Sequence, residues 1–333
     1  MMTPPADFST DLLAAALREM WGLDVREITY APVGFGSHHW RVDARDDSRW
    51  FVTLDDYAGA GADVERGAAL SSAFRTARAL ADSGLDFVVA PVPARDGAVP
   101  FELSRHRWVS MTPWLDAPRL PSPSEQTSAD RHAVTEVLAR LHAATPRAVG
   151  VAGTDDLALP ERALLDRALA ADLPPGAGPY GARARDALAE HAEAVRRALV
   201  VWDERAVRDR AERDSWVITH GEPHWRNVLS DADGLHVVDW DTALLAPAAR
   251  DLWHVAGAEG VRAEEVLADY AALTGRAVTT DDLHAQALRW DLTEVALYAA
   301  WFARPHADDA DGEIAWGGFT ESLSSVGARE SAA

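Results

Sequence analysis

The sequence places its densest group of polar side chains at 220–227, where it reads His-Gly-Glu-Pro-His-Trp-Arg-Asn, and an acidic segment follows at 239–241. Phosphoryl transfer requires one carboxylate that orients or deprotonates a hydroxyl, and an amide with a second carboxylate that hold Mg²⁺. Glu222 can supply the first carboxylate, while Asn227 and Asp239 offer the hard oxygen atoms that Mg²⁺ prefers. The pattern therefore favours magnesium-assisted chemistry on a phosphoryl group.

A zinc site is the alternative that the same segment suggests, since His220 and His224 lie four residues apart with Glu222 between them. In a zinc protease that spacing lies on a helix, which puts both imidazoles on one face, whereas Gly221 and Pro223 oppose a helix. The chain has no cysteine, so the thiolate ligands of a zinc deaminase cannot exist here. A zinc site is therefore not expected.

The elements that must position these residues differ between the two parts of the chain. Before residue 113, the hydrophobic periodicity predicts helices at 11–21 and 64–83. It predicts strands at 27–33, 39–44, 50–54, 87–90, 101–103 and 108–111, which make a mainly antiparallel sheet. The turn Gly34-Phe35-Gly36-Ser37 joins the first two strands.

After residue 113 the pattern is mainly helical, with helices predicted at 129–144, at 182–211 and throughout the chain from 250 onward. A Pro/Gly-rich loop is predicted at 174–181, and short strands at 216–218 and 235–238 flank the polar loop. The expected organisation is a β-rich lobe at 1–112, a larger helical lobe at 113–325 and a disordered tail at 326–333.

Composition narrows the classes of protein that fit. The chain has 333 residues and a net charge of −21, which is the wrong sign for binding nucleic acid through its phosphates. No run of eighteen apolar residues and no secretory signal is visible, so a cytoplasmic protein without a membrane partner is expected. All 32 of its basic residues are arginines, and any mechanism that needs a lysine is therefore excluded. The sequence leaves the oligomeric state open.

The polar motifs together resemble those of the aminoglycoside phosphotransferase family, which is related to choline kinases and protein kinases. His220-Gly221-Glu222 with Asn227 is similar to the family's H-G-D-x-x-x-x-N motif, and Asp239-Trp240-Asp241 is similar to its D-W-[DE] motif. The segments 138–142 and 247–252 also match, so the resemblance covers most of the chain. It implies an α+β, bilobal, protein-kinase-like fold with a small antiparallel β-rich N-terminal lobe and a larger, mainly helical C-terminal lobe.

Two positions depart from the family pattern. Glu222 stands where the family has an aspartate base, which keeps the charge but adds a methylene group. Thr53 stands in the third strand where the family has the lysine that pairs with nucleotide phosphates. Arg75 and Arg78, on the helix that follows, are the predicted replacements for that lysine, with solvated helix arginines as the alternative interpretation.

The resemblance implies a phosphotransferase that uses Mg²⁺ and ATP or GTP to modify a hydroxyl of a small molecule. An aminoglycoside or aminocyclitol is the expected substrate, because the acidic chain suits a cationic ligand. Glu222 and Asp239 are the implied catalytic residues, and Asn227 and Asp239 are the implied metal ligands. His220 is expected to support the loop through hydrogen bonds. The implied nucleotide-binding residues are Gly34, Phe35, Gly36, Ser37, Thr53, Arg75, Arg78, Ser110, Met111 and Thr112.

Substrate binding is assigned to Asp241, Asp291 and Glu294. The last two share C-terminal helices with several tryptophans, a mixture that fits either an aromatic and acidic wall for a cationic sugar or ordinary inward packing. Two rival functions stay open, because the lysine is missing. One is a pseudokinase that binds a nucleotide or another ligand, and the other is different chemistry on the same fold.

Overall fold

The computed structural model describes residues 1–57, 63–172, 178–257 and 260–332. Its strands are β1 Val25–Ala31, β2 His38–Ala44, β3 Arg49–Asp56, β4 Phe101–Ser104, β5 Arg107–Pro113, β6 Val217–Thr219, β7 Val228–Asp231, β8 Gly234–Val237 and β9 Leu244–Ala246. Its helices are α1 Thr10–Trp21, α2 Asp63–Asp82, α3 Ser128–Ala143, α4 Thr145–Ala148, α5 Arg162–Leu169, α6 Gly181–Ala211, α7 Ala249–Ala256, α8 Val261–Thr274, α9 Thr280–Phe302 and α10 Ala310–Ala332. The predicted α+β class is confirmed, with an antiparallel sheet near the N-terminus and helices toward the C-terminus.

The N-terminal sheet has the strand order β1-β2-β3-β5-β4, and every neighbouring pair is antiparallel. Helix α1 covers one face of it, starting at the N-cap Ser9 and ending at Gly22 in the left-handed conformation. Since side chains alternate between the faces of a strand, the other face carries a different set of residues. The buried core under α1 consists of Leu13, Leu17, Leu23, Trp40, Val42, Ala44, Val52, Leu54, Val109 and Met111.

The chain forms two compact units. The first contains Met1–Thr154, Trp216–Ala256 and Glu264–Ala277, and the second contains Asp155–Ser215, Gly257–Ala263 and Val278–Ala333. These units are not divided at residue 112, where the sequence predicts the boundary between the two lobes. The division into lobes stays a prediction. The polar loop at 220–227, the acidic segment at 239–241 and the whole N-terminal sheet belong to the first unit.

Two small two-stranded sheets frame the polar loop in the first unit. The strands predicted on either side of the loop are present as β6 and β8, but they do not pair with each other. Instead β6 pairs with β9 and β7 pairs with β8, both antiparallel. The sequence pattern missed β7 and β9, which have four and three residues.

The strand predicted at 87–90 is wrong. Val88 makes only an isolated bridge to Val237, supported by the Val89 N–H, which donates to the Val237 carbonyl at 3.0 Å. Pro91 and Pro93 follow directly and have no N–H to donate, so the segment cannot extend into a ladder.

The second unit is helical in its described part, and α6, α9 and α10 pack against one another. A capping box at Thr279 and Asp282 starts α9. Helix α10 continues to Ala332, so the segment from 326 is helical rather than the predicted disordered tail. Most of the loop predicted at 174–181 lies outside the described residues. No helix in the described part of the chain is long and apolar enough to cross a membrane.

Candidate active site

The start of the polar loop, just after β6, is held by the carboxylate of Asp251 in α7. This side chain is fully buried, and it accepts hydrogen bonds from the backbone N–H groups of His220 at 2.9 Å and Gly221 at 2.6 Å. Nε2 of His142 lies 3.2 Å from the same carboxylate, and Nδ1 of that ring lies 2.8 Å from the Tyr270 hydroxyl. Burial by itself raises the pKa of Asp251, but the hydrogen bond from His142 and the nearby histidine and arginine charges outweigh burial and hold that pKa below its usual value. Asp251 therefore stays ionised and fixes the loop.

His220 connects the loop to the segment that carries Asp239. Its Nδ1 accepts from the Glu222 N–H at 3.1 Å, so the ring proton is on Nε2, which donates to the Val238 carbonyl at 2.9 Å. Burial lowers the pKa of His220 to about 4, and the imidazole is neutral at physiological pH. These contacts are those of a supporting residue, the role expected from the sequence.

Gly221 is required by the backbone at this turn and by its neighbour. Its φ is 103°, a left-handed value that L-residues rarely adopt. A Cβ atom there would also lie 2.3 Å from Nη2 of Arg250. That guanidinium donates to the Thr219 hydroxyl at 2.8 Å and to the Thr242 carbonyl at 3.1 Å, so it is held against the turn.

Asn227 closes the loop and is the only asparagine in the sequence. Its side chain is 9% exposed, and Nδ2 donates to the Glu222 backbone carbonyl at 3.1 Å. This bond uses the amide nitrogen and leaves Oδ1 as the atom that can act as a metal ligand. Glu222 itself is half-buried, so the loop presents one carboxylate and one amide oxygen.

Asp239 lies just beyond β8 in a left-handed conformation, with a φ of 68°. The residue is exposed to solvent, and desolvation by the surrounding protein raises the pKa of its carboxyl group. Burial raises the pKa of Asp241 well above its usual value, with further contributions from the charges of Asp239, Glu222 and Asp55. Four carboxyl groups from three segments therefore share one electrostatic environment, which favours a cation.

His224 lies beside Glu222 but does not neutralise it. Its Nε2 is 4.0 Å from a Glu222 carboxylate oxygen, and burial lowers the pKa of the ring. A neutral imidazole at that distance makes no ion pair. Its Nδ1 atom is buried without a hydrogen-bond partner among the described residues.

The glycine-rich turn lies between β1 and β2, as predicted, and Gly34 and Gly36 have φ values of 71° and 102°. Ser37 at its end donates to Oδ1 of Asp55 at 2.6 Å. Thr53, opposite His39 in the sheet, has its hydroxyl 3.0 Å from Nδ1 of that ring. Burial lowers the pKa of His39 to about 3, so this histidine brings no positive charge to Thr53.

The contacts of Arg75 and Arg78 oppose their predicted role as lysine replacements. The Arg75 guanidinium donates to the Ser71 carbonyl one turn back in α2, and Arg78 pairs with Asp82 one turn on. Both guanidinium groups thus lie along the surface of their own helix, as i,i+4 neighbours do. The α2 arginine on the side of the carboxylates is Arg66, whose guanidinium lies 5.7 Å from the ring centre of Tyr57.

The predicted nucleotide-binding residues of β5 lie on opposite faces of the sheet, because side chains alternate along a strand. Ser110 and Thr112 pair with Thr53 and Phe51, on the face away from α1. Met111 points the other way, is 2% exposed in the core, and its carbonyl accepts from the Val92 N–H. The Met111 side chain therefore packs in the core, and nucleotide binding by the segment 110–112 stays a prediction.

Asp291 and Glu294 belong to the second unit, where other side chains engage them. Arg329 donates to Asp291 at 2.6 Å, and Glu294 forms a hydrogen bond with Tyr298. The Arg329 contact neutralises the Asp291 charge, which opposes the predicted interaction of that residue with a cationic substrate.

Sequence reasoning missed two parts of the site. Asp55 was not assigned a role, although its spacing of two residues from Thr53 places both on one face of β3. The supporting network of Asp251 and His142 had no local signal beyond the family-like segments that contain them, because its contacts join residues that are 30 to 128 positions apart.

Residues 27–307 match the model of the phosphotransferase enzyme family, APH, and known proteins are similar to most of this chain. Protein StrN of Streptomyces griseus is 32% identical over 267 residues, which is 75% of this chain and 76% of that protein. The spectinomycin phosphotransferase APH(9)-Ia, solved with ADP and spectinomycin, has a TM-score of 0.70 at 17% identity, covering 96% of this chain and 98% of that one. The choline kinase LicA from Streptococcus pneumoniae has a TM-score of 0.62 at 14% identity, covering 95% and 99%. These likenesses confirm the predicted kinase-like fold.

Proposed function

Because the chain belongs to the phosphotransferase enzyme family, we propose that it transfers the terminal phosphoryl group of ATP or GTP, with Mg²⁺, to a hydroxyl of a small molecule. The observation that carries this proposal is the convergence of Glu222, Asn227 and Asp239 around one anchored loop. These groups are the orienting carboxylate, the amide and the second carboxylate that phosphoryl transfer needs. A cytoplasmic location, where nucleoside triphosphates are available, fits the proposal.

The donor set fits a magnesium ion. Oδ1 of Asn227 and the carboxylate of Asp239 are hard oxygen ligands, and the crowded carboxyl groups have raised pKa values that a nearby cation would relieve. When bound, Mg²⁺ neutralises the charge that develops on the phosphoryl oxygens. Asn227 and Asp239 hold it, while the His220 bridge between the loop and Val238 keeps these two ligands in register.

Glu222 is the proposed base or orienting group. It follows Gly221, whose backbone is fixed by Asp251, so its Cα position is defined even though its side chain has one more methylene than an aspartate. The acceptor hydroxyl would donate to a Glu222 carboxylate oxygen. The proton would move there as the acceptor oxygen bonds to the terminal phosphorus and the bridging P–O bond to the departing nucleoside diphosphate breaks. His224 is neutral and leaves the Glu222 charge in place.

An aminocyclitol or aminoglycoside is the proposed substrate class. The net charge of −21 and the group of carboxyls near Asp239 favour a cationic acceptor. The structure of a similar fold with bound spectinomycin supports the same class.

Calorimetric titrations with ATP and GTP, each with and without Mg²⁺, followed by a transfer assay on a panel of aminocyclitols, test this proposal. Glu222→Gln should reduce turnover by roughly 10²- to 10⁴-fold while nucleotide affinity stays near that of the parent. Glu222→Asp is the matched control, since it keeps the charge and changes only the reach. Unchanged turnover in Glu222→Gln would show that Glu222 is not the base.

The second candidate is a protein that binds nucleotide without transferring its phosphate. The hydrogen bond between Thr53 and a neutral His39 favours it, because no permanent charge stands at that point of β3. In that case Mg²⁺-dependent nucleotide binding would be measurable, and no acceptor in the panel would be phosphorylated.

A further inference from the structure

Asp55, near the end of β3, is a buried carboxyl group with one oxygen that nothing in the described structure satisfies. The residue is 3% exposed, and Oδ1 accepts from the Ser37 hydroxyl at 2.6 Å. Oδ2 is enclosed and has no hydrogen-bond partner among the described residues. Acidic side chains are almost never fully buried unless they are paired, and removing a charge from water without a partner is costly. A buried oxygen of this kind points to a missing ligand.

The alternation of β3 defines the face on which Asp55 lies. Val52 and Leu54 pack in the core under α1, so Thr53 and Asp55 belong to the opposite face. On that side Asp55 lies within the electrostatic reach of Asp239, and both it and Asp239 act on Tyr57 and Asp241. Asp55 thus adds a carboxylate from the sheet to those presented by the polar loop and the segment after β8.

Asp55 is the carboxyl group here for which a cation is missing among the described residues. Among the residues that the structure describes, no arginine or histidine forms an ion pair with Asp55. The nearest strand neighbour that could carry a charge on this face is His39, which is neutral. Adding nucleotide phosphates to this surface would increase the repulsion unless a positive ion entered with them.

We propose that Asp55 is a further ligand for a divalent cation, which binds between Asp55 and Asp239 and supplies the positive charge that a side chain at Thr53 does not. The inference rests on the proposed function, since it requires nucleotide phosphates in the same place. No three acidic or histidine side chains in the described part of the chain already surround one point. The remaining ligands are therefore phosphate oxygens of the nucleotide and water, as is usual for Mg²⁺.

The test counts Mn²⁺ ions by the electron paramagnetic resonance signal of the free ion, with a non-hydrolysable ATP analogue and no acceptor. The full-length parent is compared with Asp55→Asn, which keeps the shape and the hydrogen bond from Ser37. Asp56→Asn is the matched control, because it makes the same change in charge one residue away on the opposite face, where Asp56 pairs with Arg107 at 2.7 Å. Thermal unfolding of all three proteins establishes that each is folded.

Asp55→Asn should lose one bound Mn²⁺ per protein or bind it roughly 10- to 100-fold more weakly, while Asp56→Asn matches the parent. Equal Mn²⁺ stoichiometry and affinity in the parent and Asp55→Asn, with nucleotide still bound, would overturn this inference and leave the proposed function standing. Tighter Mn²⁺ or nucleotide binding by Asp55→Asn would also overturn it, since Asp55 would then only repel. A parent that binds neither nucleotide nor Mn²⁺ would remove the inference and the proposed function together.

Discussion

The polar loop and the face of β3 that carries Asp55 both present carboxylates, yet they differ in how their buried polar groups are satisfied. Asp251 accepts two backbone N–H bonds and lies beside His142, and its pKa is held below the usual value. Asp55 has a single hydrogen bond, and burial together with the Asp239 charge raises its pKa to about 7. A buried carboxylate with complete partners supports structure, whereas one with an open oxygen is poised to bind.

The same difference separates the two histidines next to these regions. His220 uses both ring nitrogens to join the loop to Val238, and its role is positional. His39 uses Nδ1 on Thr53 and stacks on Phe51, with ring centres 5.0 Å apart. Burial keeps both rings neutral, so neither supplies charge to a ligand.

The largest effect is expected from Asp251→Ala. It removes the acceptor for two buried backbone N–H groups and for His142, so we expect a loss of about 3–5 kcal/mol in the free energy of unfolding. Urea unfolding at pH 7 measures it. Asp233→Ala, at an exposed hairpin turn, is the control and should change stability by less than about 0.5 kcal/mol. A small loss in Asp251→Ala would mean that the loop is held elsewhere.

Asp55→Asn is expected to increase the free energy of unfolding, whereas Asp251→Ala decreases it. The pKa of this carboxyl is 3.8 in the unfolded chain and about 7 when folded, so the folded state binds the proton more tightly and loses stability as the pH rises through that interval. Without ligand at pH 8, the variant should be more stable than the parent by about 2–4 kcal/mol, with a smaller gain at pH 5. Urea unfolding at both pH values measures the gain. Destabilisation at pH 8 would show that the parent carboxylate has a partner.

His220 should make the parent protein less stable in acid. Its pKa is about 4 when folded and 6.5 when unfolded, so its contribution is complete above pH 6.5 and is lost as the pH falls through the folded value. Between pH 7 and pH 5 the parent should lose about 2 kcal/mol more than His220→Gln does. His132→Gln is the control. Asp269 raises the pKa of that exposed ring, so the ring stabilises the folded protein in acid, where His220 destabilises it. Equal losses in the parent and His220→Gln would contradict the prediction.

The smallest effect is expected at the glycine-rich turn. Gly36 has a φ of 102° and open space around the position of a Cβ, so Gly36→Ala adds only backbone strain, about 1–2 kcal/mol. Gly317→Ala, in helix α10 with equally open space, should be neutral or slightly stabilising. Thermal unfolding compares the two variants. A neutral Gly36→Ala would show that the turn readily adopts another conformation.

Local signals in the sequence predicted much of the fold. Helices α1, α2, α3 and α6 and strands β1 to β3 fall within a few residues of their predicted bounds, because each has a clear period or a defined end. The loop that carries Glu222 and Asn227 and the strand end before Asp239 were also predicted, since Gly221 and Pro223 exclude a helix there. The strand at 87–90 failed because apolar content alone does not provide a pairing partner.

The sequence by itself determined which groups can do chemistry here: it has one asparagine, no lysine and no cysteine, and Asp239 and Asp241 follow a short predicted strand. Only the tertiary structure decided how those groups are used. It pairs Asp291 with Arg329 and keeps Arg75 and Arg78 on their own helix. In the described part of the chain it also leaves one oxygen of Asp55 without a partner. The physical reason is that ionisation and ligand binding depend on burial and on charges from distant segments, and neither quantity is encoded in the spacing of neighbouring residues.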